Sequence, residues 1–572
     1  MISRISAFAL ALFCFSMEVA AQSGATRAQN TLLPEINPQD IEIRSEFRAR
    51  FPGLRRQPIL GFSPKPSVFR TNPNRMPFME TREEAVASIA ITQLDRPEPP
   101  IRAVIESPIR RNIYTRAGFG SYTSPEFSSY FYQGLNQKSA ISGNVDFSSS
   151  NGHLNNQSSG FRFLDGDLRF VSKMNRQTSI QSTIGGVYDF NRLYNLAPIY
   201  QDEIGSTAQK SYGGLNAAVS ITQINNSLEG FNGNLSFNYY NSELDAGSTN
   251  LGGKSNEQYV SAAVKKYWPG SRLYETFSLS GDFKIGNYDN PTKNTENVLL
   301  TTLRAGYKKL INFNLHVSAN AGVAYVSDGV SSRVYVTPQA LINYNLKDAV
   351  ILKAGISGNP TFQTLQDHFQ TNRFLSNELV LQHSYTSEAF SEVAFQLFEG
   401  NKLYGGLTYS ITKNKAYYDR KIETQSGQDY RLFYALNYDK ATELEFYGGI
   451  TQQINPEEFW FDVRFYARRP TLESGGDIPF EERIGLNSSI SYKAIDDLLL
   501  SGWIDVVGSR QAPASNEELE AYTLAGFQLD YEFSPQFGVY TKVLNILGQK
   551  YELWDGYQER PFQVFGGLIL KF

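Results

Sequence analysis

The stretch "FSLSGDFKI", residues 277–285, sets Phe277, Leu279, Gly281, Phe283 and Ile285 against Ser278, Ser280, Asp282 and Lys284 at alternate positions. Successive side chains of a β-strand point to opposite faces, so this stretch predicts a strand with one apolar and one strongly polar face. The same alternation recurs on both sides of it. Ile141, Val145 and Phe147 alternate with Ser142, Asn144 and Asp146, and Phe231, Leu235, Phe237 and Tyr239 with Asn232, Asn234, Ser236 and Asn238. Further on, Phe313, Leu315 and Val317 alternate with Asn314, His316 and Ser318, and Phe527, Leu529, Tyr531 and Phe533 with Gln528, Asp530 and Glu532. These segments run for about 10–14 residues, whereas strands of soluble sheets average about 5–6 and a tilted strand needs about 9–11 to cross a bilayer.

The connections sort by length. Short turns such as "NQK", "PGSR", "KAIDD" and "SPQF" take turns with long loops such as "RLYNLAPIYQDEIGSTAQ", "GNPTFQTLQDHFQTNRFLSN" and "GSRQAPASNEELEA". Short turns on one side and long loops on the other are what an outer-membrane barrel requires. Residues 112–572 therefore predict an all-β fold, a transmembrane antiparallel β-barrel of about 22 strands (about 20–24), with 428–453 as one long strand. Tyr325, Tyr335, Tyr344, Tyr385, Tyr404, Tyr409, Tyr492 and Tyr531 fall near expected strand ends. A tyrosine ring suits the water–lipid boundary there. A secreted soluble β-sandwich is the competing fold, and it would be extracted without detergent.

Composition agrees. Tyr 34 and Phe 39 are high against Met 5 and Cys 1, and aromatics favour strands. After the first twenty or so residues no apolar run reaches the roughly 18 residues of a membrane-spanning helix. A net charge of −4 over 572 residues gives no argument for a nucleic-acid partner. The start, "MISRISAFALALFCFSMEVAAQS", has a basic Arg4, an apolar core and a small-residue Val19-Ala20-Ala21 site, which predicts a signal peptide over 1–21. Cys14, the one cysteine, would leave with it, so no disulfide or thiolate metal site is expected.

Residues 22–111 read differently, as a Pro/Arg-rich periplasmic or lumen-docked segment. Proline at this density blocks long helices and central strands. One short helix is expected at about 82–93, where Thr81 and Glu84 have capping-box spacing. The segment is either an extended linker or a piece that docks on or inside the barrel through Arg44, Arg48, Arg50, Arg55 and Arg56.

The polar strand faces would carry Asp146, Asp167, Asp282, Lys284, His316, Asp462, Arg464, Asp530 and Lys542 towards the barrel axis. Two roles stay open for them: the lining of a solute path, or a paired network that stiffens the wall. His153, His316, His368 and His383 make no metal-ligand spacing, and no nucleophile, base and acid stand out together. No catalytic residue, metal or cofactor is expected, and the chain reads as a non-enzyme.

The last residues are "KVLNILGQKYELWDGYQERPFQVFGGLILKF", 542–572, ending in an alternating strand. Asn545, Ile546, Leu547 and Tyr551, then Pro561, Gly567, Leu568 and the terminal Phe572 resemble the C-terminus of TonB-dependent receptors. Leu568, Leu570 and Phe572 would form the barrel-closure signal, and this final strand is where a barrel assembly machinery would engage. The family places a folded plug of well over a hundred residues before its barrel. Residues 22–111 are shorter and Pro-rich and show no TonB box, so the resemblance implies a barrel that lacks a full-length plug. It further implies outer-membrane lipid around the barrel and passage or import of a solute. The alternative is a non-transport scaffold or accessory subunit, with a periplasmic or outer-membrane protein partner.

Overall fold

The computed structural model describes residues 112–572 apart from 155–158, 195–207, 225–228, 246–252, 273, 292, 347–348, 398–399, 426–427, 456–457 and 513–516. The expected signal peptide, the helix at about 82–93 and the arginines Arg44, Arg48, Arg50, Arg55 and Arg56 lie outside the described residues.

From Ile113 onward each strand pairs antiparallel with the next, and the last pairs with the first. The first strand, Ile113–Gly120, sets Tyr114 opposite Lys571, Ala117 opposite Leu568 and Gly118 opposite Gly567 in the last strand, Gln563–Lys571. Phe572 and Ile113 exchange backbone hydrogen bonds in both directions (2.7 and 2.8 Å), so the chain's last residue completes the seam. The main sheet contains 23 segments, but Ser332–Val336 and Gln339–Leu346 both pair with Leu315–Ser327. They are two halves of one strand interrupted at Thr337-Pro338, where proline has no N–H to give the ladder. The result is a closed, 22-stranded antiparallel barrel. Closure leaves no unpaired sheet edge, and only closed barrels and helices satisfy the backbone within hydrocarbon.

The alternation reads directly onto the wall. Phe277, Leu279, Phe283 and Ile285 are exposed on the outer face, as are Leu235, Phe237, Val323, Phe527 and Leu568. They form an apolar band of the kind that membrane-spanning barrels carry on their outer face. Tyr325, Tyr492 and Tyr531 are exposed on that surface too. Tyr335 instead bonds the buried His383 imidazole (2.8 Å) and stacks on Tyr385 with ring centroids 4.6 Å apart.

Strand length varies round the barrel. The seam strands Ile113–Gly120 and Phe537–Leu544 have 8 residues each, and Gln563–Lys571 has 9. The hairpin Asn401–Gln425 and Gln428–Asn455 has strands of 25 and 28 residues, so 428–453 is indeed one strand. About 9–11 residues suffice for the bilayer, so the remainder of this hairpin stands outside it.

The rim that holds Asn112 and Phe572 carries the tight turns 135–138, 174–177, 313–314, 496–497 and 535–536. The opposite rim carries the long loops, two of which differ from expectation. The loop expected to begin at Gly358 begins after Phe362, because Val350–Phe362 remains strand. "GSRQAPASNEELEA" holds a small hairpin, Arg510–Ala512 paired with Glu517–Leu519.

Candidate functional site

The long-loop rim carries a segment folded inward. Segment 363–382, between Val350–Phe362 and His383–Phe395, turns into the lumen and packs against distant strands on one side and against Gln428–Asn455, two strands away, on the other. It begins with a short helix, α1 (Leu365–Thr371). Thr364 is the N-cap: its side chain accepts from Asp367 N (3.2 Å), while the Asp367 carboxylate accepts from Thr364 N (2.8 Å). This reciprocal box satisfies two helix-end donors. Two more, the N–H groups of Leu365 and Gln366, donate to Glu257 on the wall at 2.7 and 3.0 Å. Leu365 and Phe369, one turn apart, bury the helix's apolar side, with His368 between them.

Beyond the helix the segment is fastened on two sides. On the first, Lys210 donates to the Leu375 carbonyl and lies 3.5 Å from the centroid of the Phe369 ring. Arg373 donates to Asn191 (3.1 Å). Asn377 donates to the Gly253 carbonyl (2.7 Å) and takes a bond from Ser255 to its own carbonyl (3.0 Å). On the other side, Ser376 N donates to Tyr434 O (2.8 Å) and Tyr434 N to Phe374 O (3.1 Å), while Gln382 N donates to the Tyr438 hydroxyl (3.0 Å). The loop 545–562 meets it there: the Phe374 and Tyr557 rings stack at 3.5 Å, and Tyr194 donates to Gln558 O (2.8 Å).

Between these fastenings lies an apolar core inside the lumen. Leu365, Phe369, Phe374, Leu375, Leu379 and Leu381 pack with Tyr212, Tyr240, Tyr259, Tyr288, Tyr434 and Tyr557. The wall's inward face changes character to receive it. Along Gly230–Asp245 that face reads Asn232, Asn234, Ser236 and Asn238, and then Tyr240, Ser242 and Leu244. The lumen thus has two tiers: an aromatic collar under the long loops, and below it an amide- and hydroxyl-lined recess of about 550 Å³.

Charges within the collar are shaped by burial. Burial opposes the charge on Arg373, but the carboxylates of Asp189 and Glu559 outweigh it and hold the guanidinium above its ordinary pKa. Burial raises the Glu559 carboxyl despite the neighbouring Arg373 and Arg560. His368 has Nδ1 3.0 Å from the Tyr418 hydroxyl, and its Nε2 has no hydrogen-bond partner among the described residues. Burial drives its pKa from the ordinary 6.5 down to about 4, with Asp367 only partly opposing.

The closed segment therefore holds a neutral imidazole. Once released into water the same side chain binds a proton below its ordinary value, so the released state takes up protons between about pH 6.5 and 4. The His368 contribution to the seating of the segment is fully present above that window and falls by about 3 kcal/mol by pH 4. His368 is expected to contribute to single-channel conductance a component that rises as pH falls from 7.5 to 4.5. His368→Gln, which has no proton to gain, should flatten that rise; an unchanged pH profile in the variant would count against His368 as the sensor.

The charged residues expected on the lumenal face do not converge on one point. Asp282 pairs with Arg304 (3.2 Å), which also donates to Asn359 (2.8 Å). Lys284, two residues on, lies over the Tyr259 ring at 4.6 Å. His316 sits 3.5 Å from the Asn343 amide nitrogen. On the other side of the barrel Asp462 accepts from Thr451 (2.5 Å), Arg464 pairs with Glu445 (2.9 Å) and Asp530 pairs with Arg116 (3.3 Å). Asp146 accepts from Ser128 (2.6 Å), and Asp167 stands opposite Asn144. Lys542 pairs with Glu126 (2.7 Å). Sequence reasoning missed Lys210, Glu257, Arg373 and Asn377. The available signals were Thr364 and Asp367 at capping spacing, with Leu365 and Phe369 one turn apart, and the inward run of tyrosines.

No family model matches the chain, and no curated protein matches it. Solved structures do. A mutant of the ferric enterobactin receptor PfeA of Pseudomonas aeruginosa superposes with a TM-score of 0.63 at 13% identity, covering 81% of this chain and 80% of that one. The siderophore receptor PirA of Acinetobacter baumannii gives 0.63 at 11%, covering 81% and 80%. The ferric-catecholate import receptor Fiu of E. coli K12 gives 0.62 at 11%, covering 81% and 82%. These likenesses are of fold: the 22-stranded barrel is similar to the barrels of these receptors.

Proposed function

We propose that this chain imports a solute across the outer membrane, with segment 363–382 as a gate at the long-loop mouth and the polar recess beneath it as the solute's resting place. One observation carries the reading. The segment spans the lumen on individually modest, separable bonds to both walls, above a polar cavity large enough for a small ligand. Receptors that share the fold bind ferric enterobactin or import ferric catecholates, which supports import over catalysis as the role of the barrel. The segment 22–111 enters this reading as a periplasmic or lumen-docked piece, and Asp282 and Lys284 as part of the solute path.

The test is made on the full chain, gently solubilised and returned to liposomes. A lone barrel that releases trapped small solutes faster than protein-free vesicles supports import. A stoichiometric partner that co-purifies with a tight, impermeable barrel would instead establish the scaffold or accessory role.

A further inference from the structure

Hydrogen-bonding capacity is distributed unevenly in the lumen. On the wall from Asp462 round through Asp530 to Asp146, charged side chains are engaged with one another, with hydroxyls or with amides: Arg464 with Glu445, Arg116 with Asp530, Lys542 with Glu126, Asp146 with Ser128, Asp505 with Asn487. The recess on the facing wall is different. Gln181, Thr183, Ser220, Asn232, Asn234 and Ser280 all line it, and none of these side chains makes a hydrogen bond with the described residues. Their amides and hydroxyls each offer both a donor and an acceptor. Of the recess charges, Asp282 is paired with Arg304, which leaves the single positive charge of Lys265, over the Tyr267 ring at 5.2 Å.

From this lining we infer that the recess binds a neutral, hydroxyl-rich solute of short-oligosaccharide size; the inference rests on the import reading above. A sugar hydroxyl both gives and accepts, so it can replace water on an uncharged amide or hydroxyl bond for bond. An anionic chelate would need several unpaired cations, and the recess supplies only Lys265 beyond the Asp282–Arg304 pair. The cavity of about 550 Å³ lies within the usual range of roughly 300–1,000 Å³ for ligand sites. Tyr267, on the same strand face as Lys265 two residues away, places an aromatic ring beside the recess.

Maltotetraose and cellotetraose, with trigalacturonate as the anionic comparison, would be titrated by equilibrium dialysis into the detergent-solubilised full chain. The same titration on a variant with 364–381 replaced by a Gly-Ser linker ensures that a shut mouth does not hide the site. At least one neutral tetrasaccharide should bind in preference to trigalacturonate. Asn234→Leu combined with Thr183→Val should weaken binding about tenfold or more, while the barrel keeps its heat-modifiable migration on gels. Absence of neutral binding in both proteins, preference for the anion, or equal affinity in the recess variant would each overturn the inference. Liposome release separates the two claims: a permeable barrel that ignores tetrasaccharides leaves import standing and removes the ligand class.

Discussion

Replacing residues 364–381 with a short Gly-Ser linker should turn a nearly closed barrel into a wide, steadily open pore. The replaced segment supplies much of the inner side of the apolar collar, including Leu365, Phe369, Phe374, Leu375 and Leu379. What would remain at that level is the wall and the loop 545–562. A barrel of 22 strands is wider than the 16–18-stranded porins that already leave an aqueous channel, so single-channel conductance should rise by about an order of magnitude or more. The measurement belongs in two backgrounds, the full chain and a chain without residues 22–111. If 22–111 occludes the lumen, the increase appears only in the second. If it does not, the increase appears in both. Equal conductance with and without the linker in the shortened background would mean that 363–382 is no gate.

A milder version isolates the fastenings. Glu257→Ala removes the acceptor for two α1 N–H groups and leaves them buried above the recess. Each N–H left buried without an acceptor costs about 1–3 kcal/mol, enough to populate brief openings without removing the segment. Flickering conductance with an intact closed level is the outcome that fits a latch.

The barrel was legible because its information is local and repeated. Phe277, Leu279, Phe283 and Ile285 declare an outward face with no knowledge of what lies across the lumen, and neighbouring strands follow the same rule. The long strand Gln428–Asn455 could be read for the same reason. The inward-folded segment 363–382 was not, because its information is shared between distant parts of the chain. Lys210 looks like an ordinary lysine near a strand end until Leu375, 165 positions away, brings its carbonyl to it. Glu257 is one more polar inward residue until α1 arrives. The last strand shows the limit clearly: Phe565 and Ile569 interrupt its polar face, yet both are buried inside the barrel. The Phe565 ring is covered by neighbours on other strands, lying against Gly120 and 4.9 Å from the Lys542 ammonium group.

That lysine belongs to a brace over the seam, and removing the brace should be the most damaging point change in the lower lumen. The seam strands are the shortest of the wall, so closure there has the fewest ladder bonds. Tyr540 on Phe537–Leu544 reaches across the last and first strands to donate to Glu126 on Ser124–Gly134 at 2.6 Å. Its ring passes over Gly118 and Gly567, where a Cβ would stand 2.0 and 2.5 Å from ring or hydroxyl atoms. Lys542 reaches the other oxygen of Glu126 at 2.7 Å, and Arg116 lies over the Tyr540 ring while pairing with Asp530. One carboxylate thus receives two arms that cross two strands. Glu126→Ala leaves the largely buried Lys542 ammonium without its partner, which costs about 3 kcal/mol, the low end for a buried pair because lumenal water can reach the site. The folded form should therefore convert to the unfolded gel band at a clearly lower temperature in detergent. Adding Lys542→Met should restore part of the loss, since an orphaned charge costs more than a missing pair. Gly118→Ala should mimic Glu126→Ala by pushing Tyr540 off the seam. If Glu126→Ala migrates and melts with the parent protein, the short ladder closes the barrel unaided and the brace is incidental.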